Sequence, residues 1–130
     1  MIQTYGLTHI QIVVRDLEKS VRFYQRVFGM KELFRVGTNS VMLQTPGSHE
    51  VFTLSGRPES QADAGKLAGV QHFGFRLREK ADMEELLAEI AQAGGTPLEH
   101  GTRGQDKQEV WGFFNDPDGY AVEIFWAPHE

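Results

Sequence analysis

Three side chains in this sequence have the types and placement to hold a metal ion: His9, His72 and Glu123. His9 and His72 stand 63 positions apart (72 against 9), and each begins a run of alternating apolar residues. In the first run Ile10, Ile12 and Val14 share one face of a strand, leaving His9, Gln11 and Val13 on the other. In the second, Phe73, Phe75 and Leu77 share one face, and His72 and Arg76 the other. Glu123 lies in a third such run: Val122 and Ile124 point one way, and Ala121, Glu123 and Phe125 the opposite way. A carboxylate among these apolar neighbours needs a partner, because burying it alone is costly. Two imidazoles and one carboxylate form a facial donor set with open coordination positions, suited to Fe(II), Mn(II), Zn(II), Ni(II) or Co(II). Open positions let a metal polarise or chelate substrate oxygens. Read singly, each histidine is an ordinary polar residue at a strand mouth; it is the matched placement of all three that points to a site.

The elements that must position these groups repeat. After the first strand, Asp16 reads as a helix N-cap, Leu17, Val21, Tyr24 and Phe28 form one apolar stripe, and Gly29 closes the helix. Short strands are expected at 32–36, 41–45 and 51–54, separated by turn-forming residues. The second strand is followed by a helix over 82–93, striped by Met83, Leu86, Leu87 and Ile90 and ended by Gly94 and Gly95. Strands then follow at 97–100, 110–114 and 121–126, with a tight turn over 116–119. Matching 122–124 to 52–54 places Thr53 opposite Glu123. The expectation is an α+β fold of two βαβββ modules, residues 1–57 and 70–130, joined by a polar linker at 58–69, with their sheets curled round a shared cavity as one domain. Trp111, Phe113 and Phe125 carry the parity of an aromatic pocket wall, Gln11, Thr53 and Arg76 that of pocket polar groups. Arg103 falls in a polar loop, 101–108, and is assigned to the entrance.

Composition narrows the field. The chain has 130 residues, 40% of them apolar and 24% charged, which suits a folded globular protein. Its net charge of −5, without clusters of Lys or Arg, argues against a nucleic-acid surface. It has no cysteine, which removes disulfides, thiolate metal sites and a cysteine nucleophile. No membrane-length apolar stretch or leader is evident, so a cytoplasmic location is expected. Strand edges left open by each module make a homodimer the expected assembly.

The run HIQIVVRDLEKSVRFYQRVFG, from His9 to Gly29, resembles the opening module of the vicinal oxygen chelate superfamily, which includes glyoxalase, bleomycin-resistance proteins and extradiol dioxygenases. The ending NDPDGYAVEIF, Asn115 to Phe125, is similar to that superfamily's closing hairpin, and His72 matches the start of its second module. The resemblance implies paired βαβββ modules and a divalent metal held by His9, His72 and Glu123. It also separates branches. Glyoxalase I and methylmalonyl-CoA epimerase use four protein ligands, whereas Thr53 stands at the fourth position here. The extradiol pattern adds an acid/base histidine before the closing hairpin, where this chain has Gly104, Gln105 and Asp106. The fosfomycin-modifying branch carries hydroxyl and cationic groups where Trp111 and Phe113 stand. The resemblance therefore implies metal-dependent chemistry on a small apolar or aromatic molecule with adjacent oxygens, dioxygenase-like ahead of lyase, isomerase or transferase. The alternative is a bleomycin-resistance-type protein that sequesters a drug or metabolite without turnover.

Overall fold

The computed structural model describes residues 1–128 and resolves into two compact units, Met1–Ala64 and a second from Gly65 onward. The first unit runs β1 (His9–Val13), α1 (Leu17–Phe28), β2 (Lys31–Val36), β3 (Ser40–Gln44) and β4 (Val51–Ser55). The second runs β5 (Phe73–Arg76), α2 (Met83–Ala93), β6 (Thr96–Arg103), β7 (Glu109–Asn115) and β8 (Ala121–Trp126). Each makes an open four-stranded sheet, in the orders β1-β4-β3-β2 and β5-β8-β7-β6. The first and last strands of each unit pair in parallel and the rest antiparallel. The expected α+β architecture of two βαβββ modules is the architecture observed.

The helices form where local chemistry directs. Asp16 is extended and its carboxylate accepts from the Lys19 N–H at 3.1 Å, while Gly29 ends α1 at φ 64°, a left-handed conformation that costs glycine nothing. Asp82 caps α2 by accepting from Glu84 and Glu85, and Gly94 closes it at φ 109°. The α1 stripe packs on one face of its sheet. Tyr24 is fully buried, with Phe23, Phe28 and Phe52 around it at ring separations of 5.1, 6.1 and 4.6 Å. Val14, Val41, Leu43 and Leu54 complete this core, each such side chain contributing roughly 1.5–3 kcal/mol by leaving water. In the second unit, Met83, Leu87 and Ile90 of α2 are buried, as are Val122, Ile124 and Phe114 of its sheet. A Cβ on Gly112 would lie 3.1 Å from the Met83 sulfur, so glycine there lets α2 approach β7 closely.

Three segments depart from the sequence reading. β6 extends to Arg103, and a short 3-10 turn follows at Gln105–Lys107, so the first three residues of the polar loop expected over 101–108 are strand. His72 lies one residue before β5 rather than within it. Within the segment read as a linker, Pro58–Asp63 is a 3-10 helix whose neighbours tie back to the end of the first strand: the Arg15 guanidinium donates to the Ala64 carbonyl at 2.8 Å and Gln61 to the Arg15 carbonyl.

The hairpin carrying Glu123 is set by Asp116. This buried carboxylate accepts from the Asp118 and Tyr120 N–H groups at 2.9 and 3.0 Å, and the Gly119 N–H donates to the Asp116 carbonyl. Asp116→Ala would strand these two donors, a cost of about 2 kcal/mol. Urea unfolding should show an unfolding free energy smaller by that amount, read as a lowered midpoint at unchanged slope; an unchanged midpoint would mean that the turn holds without its side chain.

Candidate functional site

In the second unit one sheet face packs on α2 and the other carries the candidate chemistry. Gly74 pairs with Glu123 and Arg76 with Phe125 across β5 and β8. Phe113 pairs with Glu123 and Trp111 with Phe125 across β7 and β8. Directly paired residues share a face, so Arg76, Glu123, Phe125, Trp111 and Phe113 stand together on it. His72 joins them: its ring meets Phe113 edge-on, with centroids 4.9 Å apart at 88°. Trp111 and Phe113 meet at 5.8 Å, and the indole lies against Gly101, where a Cβ would fall 2.9 Å from Cζ2. Trp111, Phe113 and Phe125 therefore lie on one face of this sheet.

Glu123 is the chemically pointed member. Its side chain is 14% exposed. A Cβ on Gly74 would lie 3.0 Å from the Glu123 carbonyl oxygen and 3.1 Å from its Cβ, so no side chain on β5 crowds it from that side. Its cationic partner is Arg103, whose guanidinium reaches the Glu123 carboxylate at 3.7 Å and that of Glu109 at 3.5 Å, and lies 4.8 Å over the Phe125 ring. Arg103 is thus a member of this face rather than of a loop at an entrance, and Glu109 is a neighbour that sequence reading did not single out. The available signal was the pairing of opposite charges across an antiparallel ladder, Arg103 directly opposite Glu109.

In the first unit, His9 is exposed at the start of β1 and pairs with Val51, and Gln11 pairs with Thr53. His9, Gln11 and Thr53 share the face turned away from α1; Thr53 is 4% exposed. The Gln11–Thr53 pairing in the first sheet corresponds to the Gly74–Glu123 pairing in the second. Thr53 is therefore the positional equivalent of Glu123, as the alternation of the sequence suggested. His49 and Glu50 lie at the surface, His49 stacked with Tyr5 at 6.0 Å.

Among the described residues no three His, Asp or Glu side chains form a ready metal-binding group. The fit of a metal therefore rests on donor chemistry. The second unit offers one imidazole, His72, and the Glu123 carboxylate on the same face, that carboxylate mostly buried and compensated only at ion-pair distance, with Glu109 the further carboxylate beside Arg103. A neutral imidazole and an ionised carboxylate suit a borderline divalent ion, and a facial set needs one further imidazole.

The chain belongs to the Glyoxalase/Bleomycin resistance protein/Dioxygenase superfamily, whose pattern it matches over residues 6–124. It is 33% identical over 119 residues to a "Manganese-dependent 2,3-dihydroxybiphenyl 1,2-dioxygenase" of Geobacillus genomosp. 3. That match covers 91% of this chain but 35% of the dioxygenase, so this chain spans about a third of that relative's length. It is also 33% identical over 126 residues to the "Probable trivalent organoarsenical cleaving enzyme" of Bacillus subtilis, covering 92% of this chain and 78% of that protein. Among solved structures, a mutant of the fosfomycin resistance protein FosX from Listeria monocytogenes, complexed with Mn(II) and 1S,2S-dihydroxypropylphosphonic acid, shares the fold. Its TM-score is 0.72 at 21% identity, covering 94% of this chain and 90% of that one. Among the described residues no helix is long and apolar enough to cross a membrane.

Proposed function

We propose that this protein is a divalent-metal-dependent enzyme acting on a small apolar or aromatic molecule with vicinal oxygens, its metal held by His9, His72 and Glu123. The observation that carries the reading is the mostly buried Glu123 carboxylate set beside His72 and the aromatic side chains of one sheet face. The matching register of His9 and Thr53 in the other sheet supports it. Such a metal acts as a Lewis acid toward two substrate oxygens and steadies negative charge on them. The chain's own groups do the rest. Trp111, Phe113 and Phe125 exclude water and hold the substrate's apolar body, and Gln11 and Arg76 offer polar contacts at the margins. Within the superfamily we favour a dioxygenase-like reaction, supported by the aromatic face and by similarity to the Geobacillus enzyme. Fe(II) or Mn(II) would suit it; Zn(II) or Ni(II) would suit a lyase. Oxygen uptake with a catechol-type substrate and Mn(II)- or Fe(II)-loaded protein tests this reading, and turnover that proceeds equally without oxygen would replace it by lyase, isomerase or transferase chemistry.

The same aromatic face favours a second reading, a binding protein that sequesters a drug or metabolite. Metal dependence separates the two. For the enzyme, chelator treatment should reduce small-molecule binding by about 10-fold or more through loss of the chelated oxygens; binding that survives chelation intact would favour sequestration.

We further propose that the protein is a homodimer. The edge strand β2 of the first sheet exposes Leu33, Phe34 and Val36, and β6, an edge strand of the second, exposes Leu98. Unpaired strand edges with exposed apolar side chains invite pairing with another chain. Light scattering at micromolar concentration should give twice the chain mass, and a monomer would end the proposal.

A further inference from the structure

Arg103 occupies an unusual position for a surface arginine. Its guanidinium is half exposed, yet it is fixed from three sides by Glu109, Glu123 and the Phe125 ring. Both carboxylate distances, 3.5 and 3.7 Å, exceed those of hydrogen bonds, so the attraction is Coulombic and the fork of N–H donors is not consumed by it. Arginine's planar fork suits carboxylate and other oxyanions, and stacking on an aromatic ring orients it before a ligand arrives. The charge balance matters as well. Glu109 and Glu123 are balanced by Arg103 and by Arg76, which pairs with Phe125 on the same face, so without a metal this face carries no net positive charge to draw an anion. A divalent ion held by Glu123 would make it net positive.

We propose that Arg103 is the residue that selects the substrate: it recognises an anionic oxygen group carried on an aromatic or apolar body, and it does so only after the metal has taken the charge of Glu123. The proposal rests on the metal reading given above and narrows its substrate class. Binding is then ordered. Glu123 would hold the metal first. The anionic ligand follows, its oxyanion meeting the guanidinium and its ring lying among Trp111, Phe113 and Phe125.

The test uses Mn(II) as the metal and benzoate and its neutral isostere benzamide as ligands, followed by titration calorimetry on the full chain. Mn(II)-loaded wild-type protein should bind benzoate about 10-fold or more tightly than benzamide, the scale of a hydrogen bond to a charged group. Metal-free protein should show no preference. In Arg103→Gln the preference should vanish while Mn(II) affinity is kept or increased, and Arg103→Lys should recover part of it. Retention of the full preference in Arg103→Gln would assign the anion contact to the metal alone and overturn the proposal. Equal binding of the two ligands by loaded wild-type protein, or no benzoate binding at all, would also overturn it. Glu123→Gln run in parallel keeps the two readings apart: undiminished Mn(II) affinity there refutes the metal site itself, whereas lost affinity with an unaffected Arg103→Gln preference refutes only the role of Arg103.

Discussion

Replacing Glu123 with alanine should abolish tight binding of a divalent ion, and His9→Ala and His72→Ala should each do nearly the same. Loss of a partner that merely orients a ligand costs about 10- to 100-fold in metal affinity, so loss of a ligand itself is expected to exceed about 100-fold. The fold should survive. His9 and His72 are exposed, and exposed substitutions usually change stability by no more than about 0.5 kcal/mol. Glu123→Ala removes one of two carboxylates from Arg103 but leaves Glu109 in place. Elemental analysis of each purified variant, together with thermal unfolding after chelation, gives both quantities. Near-stoichiometric metal in all three folded variants would refute the site. Loss of metal from two variants with full retention in the third would remove that third residue from the ligand set.

Thr53→Glu should produce the opposite change in metal affinity and a large change in stability. Thr53 is 4% exposed and takes the place in the first sheet that Glu123 takes in the second. Its neighbours across the ladder, Gln11 and Met42, offer no positive charge. A carboxylate introduced there without a counter-ion is a buried unpaired charge, which costs about 3 kcal/mol or more. If Thr53 faces the metal, the ion supplies the missing partner. The metal-free variant should then unfold well below wild type, and Mn(II) should raise its melting temperature by more than it raises that of wild type. Metal affinity should increase by about 10-fold, as added ligand charge does elsewhere, and any reaction needing two open coordination positions should slow. Thr53→Gln separates charge from size, since it fills the same space without the carboxylate. A Thr53→Glu protein with wild-type metal affinity would show that this face of β4 does not meet the ion.

These expectations draw on the sequence and the structure in different proportions. The period-two alternation around His9, His72 and Glu123 and the helical stripes of α1 and α2 are properties of single segments, as are the Asp16, Gly29, Asp82 and Gly94 boundaries. They are written in neighbouring residue types and were legible without the fold. So was the equivalence of Thr53 and Glu123, because it needs only that two strands of like pattern occupy like places in a repeat. The surroundings of Glu123 were not legible. Its closeness to Gly74, the contact of His72 with Phe113 and the reach of Arg103 depend on which strands lie side by side and in what register. Arg103 shows the physical reason most clearly. Counted in steps of two from Pro97, which pairs with Phe114 on the helix-packed face, Arg103 would fall on that same face. The register shifts between Pro97 and His100, so Gly101 and Arg103 pair instead with Trp111 and Glu109 on the opposite face. A bulge adds one residue on one strand and reverses the parity of everything after it. Alternation is a local property, fixed by backbone sterics within a strand. The position of a bulge is decided by how two strands distant in sequence fit together, and here it brings an arginine beside the carboxylate proposed to hold the metal.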